Sequence, residues 1–375
     1  MKKILYVSAN GFVGGAEKFI LNVARMHSEN KDPVTYLLFK DGELGNILRE
    51  MKCDVYVLKN SFRFSNIKNL IMALFEIREF LRKNSFGVIH STMGYTQAIM
   101  SFASLFLKSR RVWFQHGPIG GWVDYLASLF PVDVLLFSSH FLMEKHYGNI
   151  FLRGGAYGRK VVPLPIQLNE SGIVESMSLK QELHLEGNFV FGMVGRISDG
   201  KGYEFAIKAF SKVDIDEARL LIIGSPNSAK DKQYYEKLKK QVEALSLKDK
   251  VLFLEHQTEI AKYYRIFDVY VNSSIHDEGF GLSVGEAMFL SVPVISSPYG
   301  GLSEFVKLGE TAEVIYPREE NAIVAIKDSM KKMYSDHIYA KKLSKNAREL
   351  IVTKFNFSQT YVAITDVYQI LSSIE

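Results

Sequence analysis

Cysteine is nearly absent. The 375 residues contain one, Cys53, so no intrachain disulfide can form and no cysteine cluster can hold zinc, which fits a reducing cytosol. A metal site would have to be assembled from histidines and carboxylates alone. Long apolar runs are missing as well: Ala98–Leu107, the most apolar stretch, is about half of the roughly twenty residues that span a bilayer. A secretory leader is not expected either, because Ile4-Leu5-Tyr6-Val7 turns polar at Ser8-Ala9-Asn10 and reads as a first strand. With 47% hydrophobic and 23% charged residues, collagen-like, low-complexity and wholly disordered classes are excluded. What remains is a globular chain long enough for two domains of ordinary size.

Charge is unevenly spread. The net charge is +5, yet residues 1–165 hold 21 Lys and Arg against 12 Asp and Glu, so the rest of the chain is mildly acidic. A basic first half raises the local concentration of anions. It could meet a lipid headgroup layer, nucleic acid or a phosphorylated acceptor, or it could be a solvated face without a partner.

Apolar runs and helical patterns alternate along the chain. Residues 2–9, 34–39, 87–91, 111–115 and 134–138 read as strands, with helices over 66–83 and 95–107 and another up to Met26. Arg153-Gly154-Gly155, Pro163-Leu164-Pro165 and Asn169-Glu170-Ser171-Gly172 mark a linker. The cycle then restarts with strands at 189–194, 219–224, 251–254, 269–272, 292–296 and 313–315, and ends in helical pattern after Pro317. The expected architecture is α/β, with two Rossmann-like βαβ domains facing a cleft and C-terminal helices. The boundaries fall at 1–165 for an acceptor-binding domain and 166–355 for a donor-binding domain, with helix 356–375 packing back towards the first.

Open α/β sheets bind ligands beyond the carboxyl ends of their strands. Directly after the strand ending at Asn272 comes His276-Asp277-Glu278-Gly279-Phe280-Gly281-Leu282-Ser283-Val284-Gly285-Glu286-Ala287. On one continuous helix, Glu278 and Glu286 would be about 12 Å apart along the axis, too far to share a proton or a metal. A loop followed by a helix fits better. Gly279 and Gly281 let backbone approach a ligand, the helix starting near Leu282 offers N–H groups to a phosphate, and Glu286 suits ribose hydroxyls. Glu278 could face a sugar; otherwise it is a surface loop residue. Gly195-Arg196-Ile197-Ser198-Asp199-Gly200-Lys201-Gly202 puts two cations in a second glycine-rich loop, suited to a diphosphate leaving group. It lacks the Walker spacing.

These motifs together resemble a retaining glycosyltransferase of the GT-B fold, family 4 (glycosyltransferase group 1). The resemblance rests on Gly14-Gly15-Ala16-Glu17, Val88-Ile89-His90, Gly195-Arg196 with Lys201-Gly202, and Phe267-Asp268-Val269. It continues through Glu278 to Glu286-Ala287, Pro293-Val294-Ile295, Gly300-Gly301 and Glu304. It implies that Arg196 and Lys201 bind the donor diphosphate and Glu286 the ribose. Glu278, with the backbone of Gly279, Phe280 and Gly281, would touch the transferred sugar. His116, in Phe114-Gln115-His116-Gly117, would lie close to the reacting centre, and Gly15 and Leu282 complete the donor-binding set. His116, Glu278, Arg196 and Lys201 form the implied catalytic set, with no metal and no cofactor beyond a nucleotide-sugar substrate, most often UDP-linked. The leaving phosphate itself would take the acceptor's proton. Pro163-Leu164-Pro165-Ile166 and Ser198-Asp199 depart from the family pattern.

The implied reaction moves a hexose or N-acetylhexosamine to a lipid-linked or oligosaccharide acceptor in bacterial polysaccharide synthesis. The expected location is the cytoplasm, including the inner face of an anionic cytoplasmic membrane. A GT-B sugar-nucleotide epimerase and a non-catalytic sugar-nucleotide-binding subunit are the alternatives. Asp214-Ile215-Asp216 spells a metal-binding D-x-D but reads as a solvated turn. Gly11, Gly14 and Gly15 do not give the G-x-G-x-x-G fingerprint of a dinucleotide oxidoreductase, and no nucleic-acid recognition motif is present.

Overall fold

The computed structural model describes residues 3–146, 158–168 and 173–373, so most of the expected linker, including Arg153–Gly155 and Asn169–Gly172, lies outside the described residues. The chain forms two compact units, Met1–Pro165 with Phe357–Glu375 (unit 1) and Ile166–Asn356 (unit 2).

Unit 1 begins β1 (Ile4–Ser8), α1 (Gly15–Glu29), β2 (Val34–Leu38), α2 (Glu43–Glu50), β3 (Asp54–Val57) and α3 (Ile67–Asn84). It continues β4 (Val88–Thr92), α4 (Met93–Ala103), β5 (Arg110–Gln115), α5 (Trp122–Ser128), β6 (Val134–Phe137), α6 (His140–Lys145) and β7 (Arg159–Val161). The seven strands are parallel in the order β3-β2-β1-β4-β5-β6-β7. β1, β4 and β6 are buried along their whole length, which is why they read as near-continuous apolar runs.

Unit 2 begins α7 (Ile173–Glu182), β8 (Phe189–Val194), α8 (Tyr203–Phe210), β9 (Ala218–Ile223), α9 (Ala229–Ala244), β10 (Val251–Leu254) and α10 (Ile260–Tyr264). β11 (Val269–Asn272), α11 (Leu282–Phe289), β12 (Val294–Ser296), β13 (Glu313–Val314), α12 (Ala322–Ser335) and α13 (His337–Lys354) follow. Its parallel sheet runs β10-β9-β8-β11-β12-β13. Each sheet reverses its winding next to its first strand, at β1/β4 and at β8/β11. Both units are therefore doubly wound and Rossmann-like.

The last helix, α14 (Phe357–Ser372), belongs to unit 1 and is fastened there by buried polar groups. Tyr361 donates to Asp32 Oδ2 at 2.7 Å, and Thr360 donates to the Pro163 carbonyl at 2.9 Å. Tyr368 donates to Tyr6 at 2.5 Å, and its oxygen lies 2.7 Å from His90 Nδ1. Tyr6 reaches His27 Nε2 at 3.2 Å, and His27 Nδ1 meets Asp32 at 2.7 Å. Burial lowers the His27 pKa despite the Asp32 carboxylate that favours its charged form.

Several elements are shorter than their sequence patterns, one helix most clearly. The helix expected over 95–107 stops at Ala103, Phe106 turns into the left-handed region at φ 64°, and Arg78 takes the Ala103 and Leu105 carbonyls at 3.2 and 2.9 Å. Among the described residues, no helix is long and apolar enough to cross a membrane.

Candidate functional site

Two loops meet at the winding reversal of unit 2. After β8 the chain passes through Gly195 and Arg196 into a single 3-10 turn, Asp199–Lys201, and enters α8 at Gly202. Gly202 sits at φ 65°, and a Cβ there would lie 2.1 Å from the Ser273 carbonyl oxygen. Only glycine permits both the turn and the approach. The Gly200 carbonyl accepts from Ile275 N–H at 3.0 Å and His276 N–H at 3.2 Å, so the loop after β8 is laid against the loop after β11.

Lys201 crosses that contact. Its Nζ donates to Glu278 Oε1 at 2.6 Å, and the Ser274 hydroxyl lies 2.7 Å from the same oxygen. Burial alone would raise the Glu278 pKa. The charge and hydrogen bond of Lys201, with Ser274 and the more distant Arg196, outweigh it and hold the carboxyl below its ordinary value. Arg196 itself is exposed and makes no ion pair among the described residues.

The loop carrying Glu278 is held from behind. Gly300 has φ 73°, and a Cβ on it would lie 2.2 Å from the Glu278 carbonyl, which instead accepts from Gly301 N–H at 2.8 Å. Arg318 donates to the Ile275 carbonyl and to Asp277 Oδ1 at 2.7 and 2.8 Å and stacks 3.9 Å over the Tyr299 ring. Sequence reasoning missed Arg318 and Tyr299. No local spacing connects a residue after β13 to a loop some forty positions earlier.

Gly281 then opens α11 in the left-handed region, φ 95°, with no side-chain cap at the helix tip. Phe280 turns its ring into the core against Phe305 and Phe355, so only its backbone can face a ligand. Glu286, 5% exposed, lies one turn into α11 with its Oε2 3.0 Å from the Tyr264 hydroxyl, which is also 2.9 Å from the Ser283 carbonyl. Tyr264 was not anticipated; burial first, and then the Glu286 carboxylate, push its pKa well above the ordinary value. Arg196, Lys201, Glu278–Leu282 and Glu286 all belong to unit 2, with the Lys201–Glu278 pair just before the tip of α11 and Glu286 within that helix. Asp214 and Asp216 are exposed between α8 and β9, with Ile215 buried between them and Asp216 3.7 Å from Lys250.

Gly15 and His116 are in unit 1. Gly15 is the first residue of α1, behind a loop tied to Glu17. His116 follows β5, its ring stacked on Phe114 at 4.0 Å and tilted against Phe19 at 5.3 Å. Both ring nitrogens are buried without a hydrogen-bond partner. Burial lowers the pKa to about 3, so the imidazole is neutral. Buried, unsatisfied nitrogens mark a place where a ligand can supply the missing bonds.

Two doubly wound parallel sheets define the GT-B class, and solved structures share the whole fold. The Anabaena Alr3699/HepE complex with UDP and glucose superposes with a TM-score of 0.86 at 21% identity, covering 98% of this chain and 100% of that one. A sucrose-phosphate synthase from Thermosynechococcus elongatus gives 0.81 at 18% identity over the full length of both chains. Residues 176–350, the segment that builds the site of unit 2, match the family described as Glycosyl transferases group 1, and over this segment the chain resembles that family. Its relatives include the capsular polysaccharide biosynthesis glycosyltransferase CapM of Staphylococcus aureus, 28% identical over 52% of this chain and 50% of that protein. The lipopolysaccharide core biosynthesis mannosyltransferase LpcC of Rhizobium leguminosarum bv. viciae is 30% identical over 37% and 40%. The chain thus spans half or less of these curated relatives' length.

Proposed function

We propose that the protein is a retaining glycosyltransferase that takes a hexose or N-acetylhexosamine from a UDP-linked donor and adds it to a lipid-linked or oligosaccharide acceptor in polysaccharide synthesis. The observation that carries this reading is the Lys201–Glu278 pair set beside Arg196 and the uncapped tip of α11. The two cations and the helix tip receive the diphosphate, and Glu286 accepts hydrogen bonds from the ribose. Glu278 and the Gly279–Gly281 backbone receive the sugar. As the anomeric C–O bond to the diphosphate breaks, Arg196 and Lys201 offset the charge gathering on the leaving oxygen. That oxygen takes the acceptor's proton while the new C–O bond forms on the same face, retaining configuration. Gly15 and the neutral imidazole of His116 belong to the same reaction in this reading. The printed names of CapM and LpcC, and the UDP and glucose in the Anabaena complex, support the substrate class.

The first experiment is a thermal-shift and hydrolysis screen of nucleotide diphosphate sugars. UDP-sugars are expected to raise the melting temperature and to release UDP slowly, with Arg196→Ala and Lys201→Ala each weakening UDP binding by about tenfold, the worth of one charge-assisted hydrogen bond. No response to any nucleotide sugar would overturn the reading. Release of an epimerised sugar without transfer would select the epimerase alternative.

A cytoplasmic protein docked on the inner membrane face is part of the proposal. On α3 the exposed Ile67, Ile71 and Phe75 share the surface with Lys68 and Arg82, while Lys83 is paired with Glu79 at 2.7 Å, and Phe106 is 91% exposed beside Lys108. Exposed apolar groups with cations around them suit an anionic bilayer surface. Sedimentation with phosphatidylglycerol vesicles at low salt, lost in Phe75→Ser/Phe106→Ser, is the expected result.

A further inference from the structure

Unit 1 has a ligand-sized cavity of its own, about 410 Å³, lined among others by Asn10, Glu17, Lys40, Arg63, Met93 and Tyr95. It opens where β1 and β4 lie side by side and the winding reverses, the place in a doubly wound sheet where strand ends part to admit a ligand. Asn10 follows β1, Lys40 follows β2 and Met93 follows β4, so three adjacent strand ends contribute to it.

Its polar groups divide by charge. Glu17 is 4% exposed, and its carboxylate accepts from Ser8 Oγ at 3.2 Å, Asn10 Nδ2 at 3.0 Å and Gly14 N–H at 3.2 Å. It is a fixed acceptor. Lys40 and Arg63 are exposed and make no ion pair among the described residues, whereas nearby Arg49 is neutralised by Asp41 at 2.8 Å. Two cations without counter-ions on the wall of this mainly apolar cavity leave a charge for a ligand to complete. Met93 adds a second sign of function: it holds φ 70°, strained for a residue with a Cβ, at the junction of β4 and α4. A Cβ on Gly117 would lie 3.9 Å from Met93 Cε, so the segment just after His116 borders the cavity wall.

We propose that this cavity receives the acceptor through an anionic group, a phosphate or a carboxylate, bound by Lys40 and Arg63, while Glu17 accepts from its hydroxyls and Tyr95 lies along its carbon skeleton. The inference rests on the reading of unit 1 as the acceptor-binding unit and adds the chemical class of what it binds. Arg63 supplies a planar fork suited to either oxyanion, and Lys40 supplies a point charge.

The test is calorimetric titration of the full chain with glucose 6-phosphate, glucuronate and glucose, repeated with Lys40→Met/Arg63→Met. Both positions are exposed, and an unchanged melting profile of the full chain, with circular dichroism equal to wild type, serves as the folding control. At least one anionic sugar is expected to bind about tenfold or more tightly than glucose, with that difference abolished in the double variant. The phosphate and carboxylate arms decide which group is read. Equal binding of all three sugars, no binding, or a preference that survives in the double variant would overturn the proposal. Equal binding lost in Glu17→Gln would keep unit 1 as the acceptor unit and remove only the anion. Binding that persists in the double variant and is displaced by UDP would instead assign these sugars to unit 2, removing the acceptor reading as well.

Discussion

Lys201 and Glu278, seventy-seven residues apart, are joined at 2.6 Å and bind the loop after β8 to the loop after β11. The pair is partly screened, with side chains 26% and 19% exposed. Lys201→Met leaves the Glu278 carboxylate without its cation and is expected to destabilise unit 2 by about 1–3 kcal/mol in urea unfolding, less than a fully buried pair would lose. Glu278→Gln in that background is expected to restore part of the loss. Strict additivity of the two substitutions would mean that the pair is not coupled.

The depressed Glu278 pKa also sets a pH dependence. A carboxyl whose folded value lies below its ordinary value of 4.5 adds stability that is complete above that value and is lost as pH falls through the folded one. Wild type should therefore lose stability more steeply than Glu278→Gln below about pH 4.5. Parallel acid-unfolding curves would contradict this.

His116 follows the same sign from a different cause. Burial keeps it neutral down to about 3, against an ordinary 6.5, so the unfolded chain takes up the proton first and stability declines as pH falls between those values. His116→Phe should flatten that decline by at most about 1.4 kcal/mol per pH unit and reduce turnover by about a hundredfold. The imidazole itself should leave no inflection in the kcat profile between about pH 5 and 8. An unchanged acid slope would show that the ring titrates normally.

Gly300 and Gly187 set a strained and crowded glycine against one in open space. Both hold positive φ, 73° and 70°, but Gly300 combines it with ψ −141°, a region that favours glycine alone, and a Cβ there would be 2.2 Å from the Glu278 carbonyl, whereas at Gly187 nothing lies within 4 Å. Gly187→Ala should cost about 1–2 kcal/mol, the left-handed penalty alone. Gly300→Ala should cost about 1–3 kcal/mol more and weaken UDP-sugar binding by displacing the Glu278 loop. Equal costs in chemical unfolding would mean that the loop yields freely.

Much of this was legible in the sequence, for a physical reason. Strands such as β1 and β8, enclosed on both faces, stand out as apolar runs, and the cation and carboxylate motifs fall in the loops that follow strands. The elements that went unread are short or marginal. β3 is an edge strand without a buried residue, α2 spans eight residues with no side-chain cap, α5, α6 and β7 are shorter still, and α7, ten residues long, follows directly on the polar linker Asn169–Gly172. The site's supports, Arg318 on Asp277 and Tyr264 on Glu286, were illegible because their partners meet through the fold and not through spacing.

Because α14 completes unit 1 while unit 2 occupies the intervening sequence, synthesis on the ribosome delivers the inserted unit before its host is whole. Until Tyr361 and Tyr368 emerge, Asp32 and the polar row formed by Tyr6, His27 and His90 stay without their closing hydroxyls. The nascent protein carries an unfinished first unit throughout the synthesis of the second.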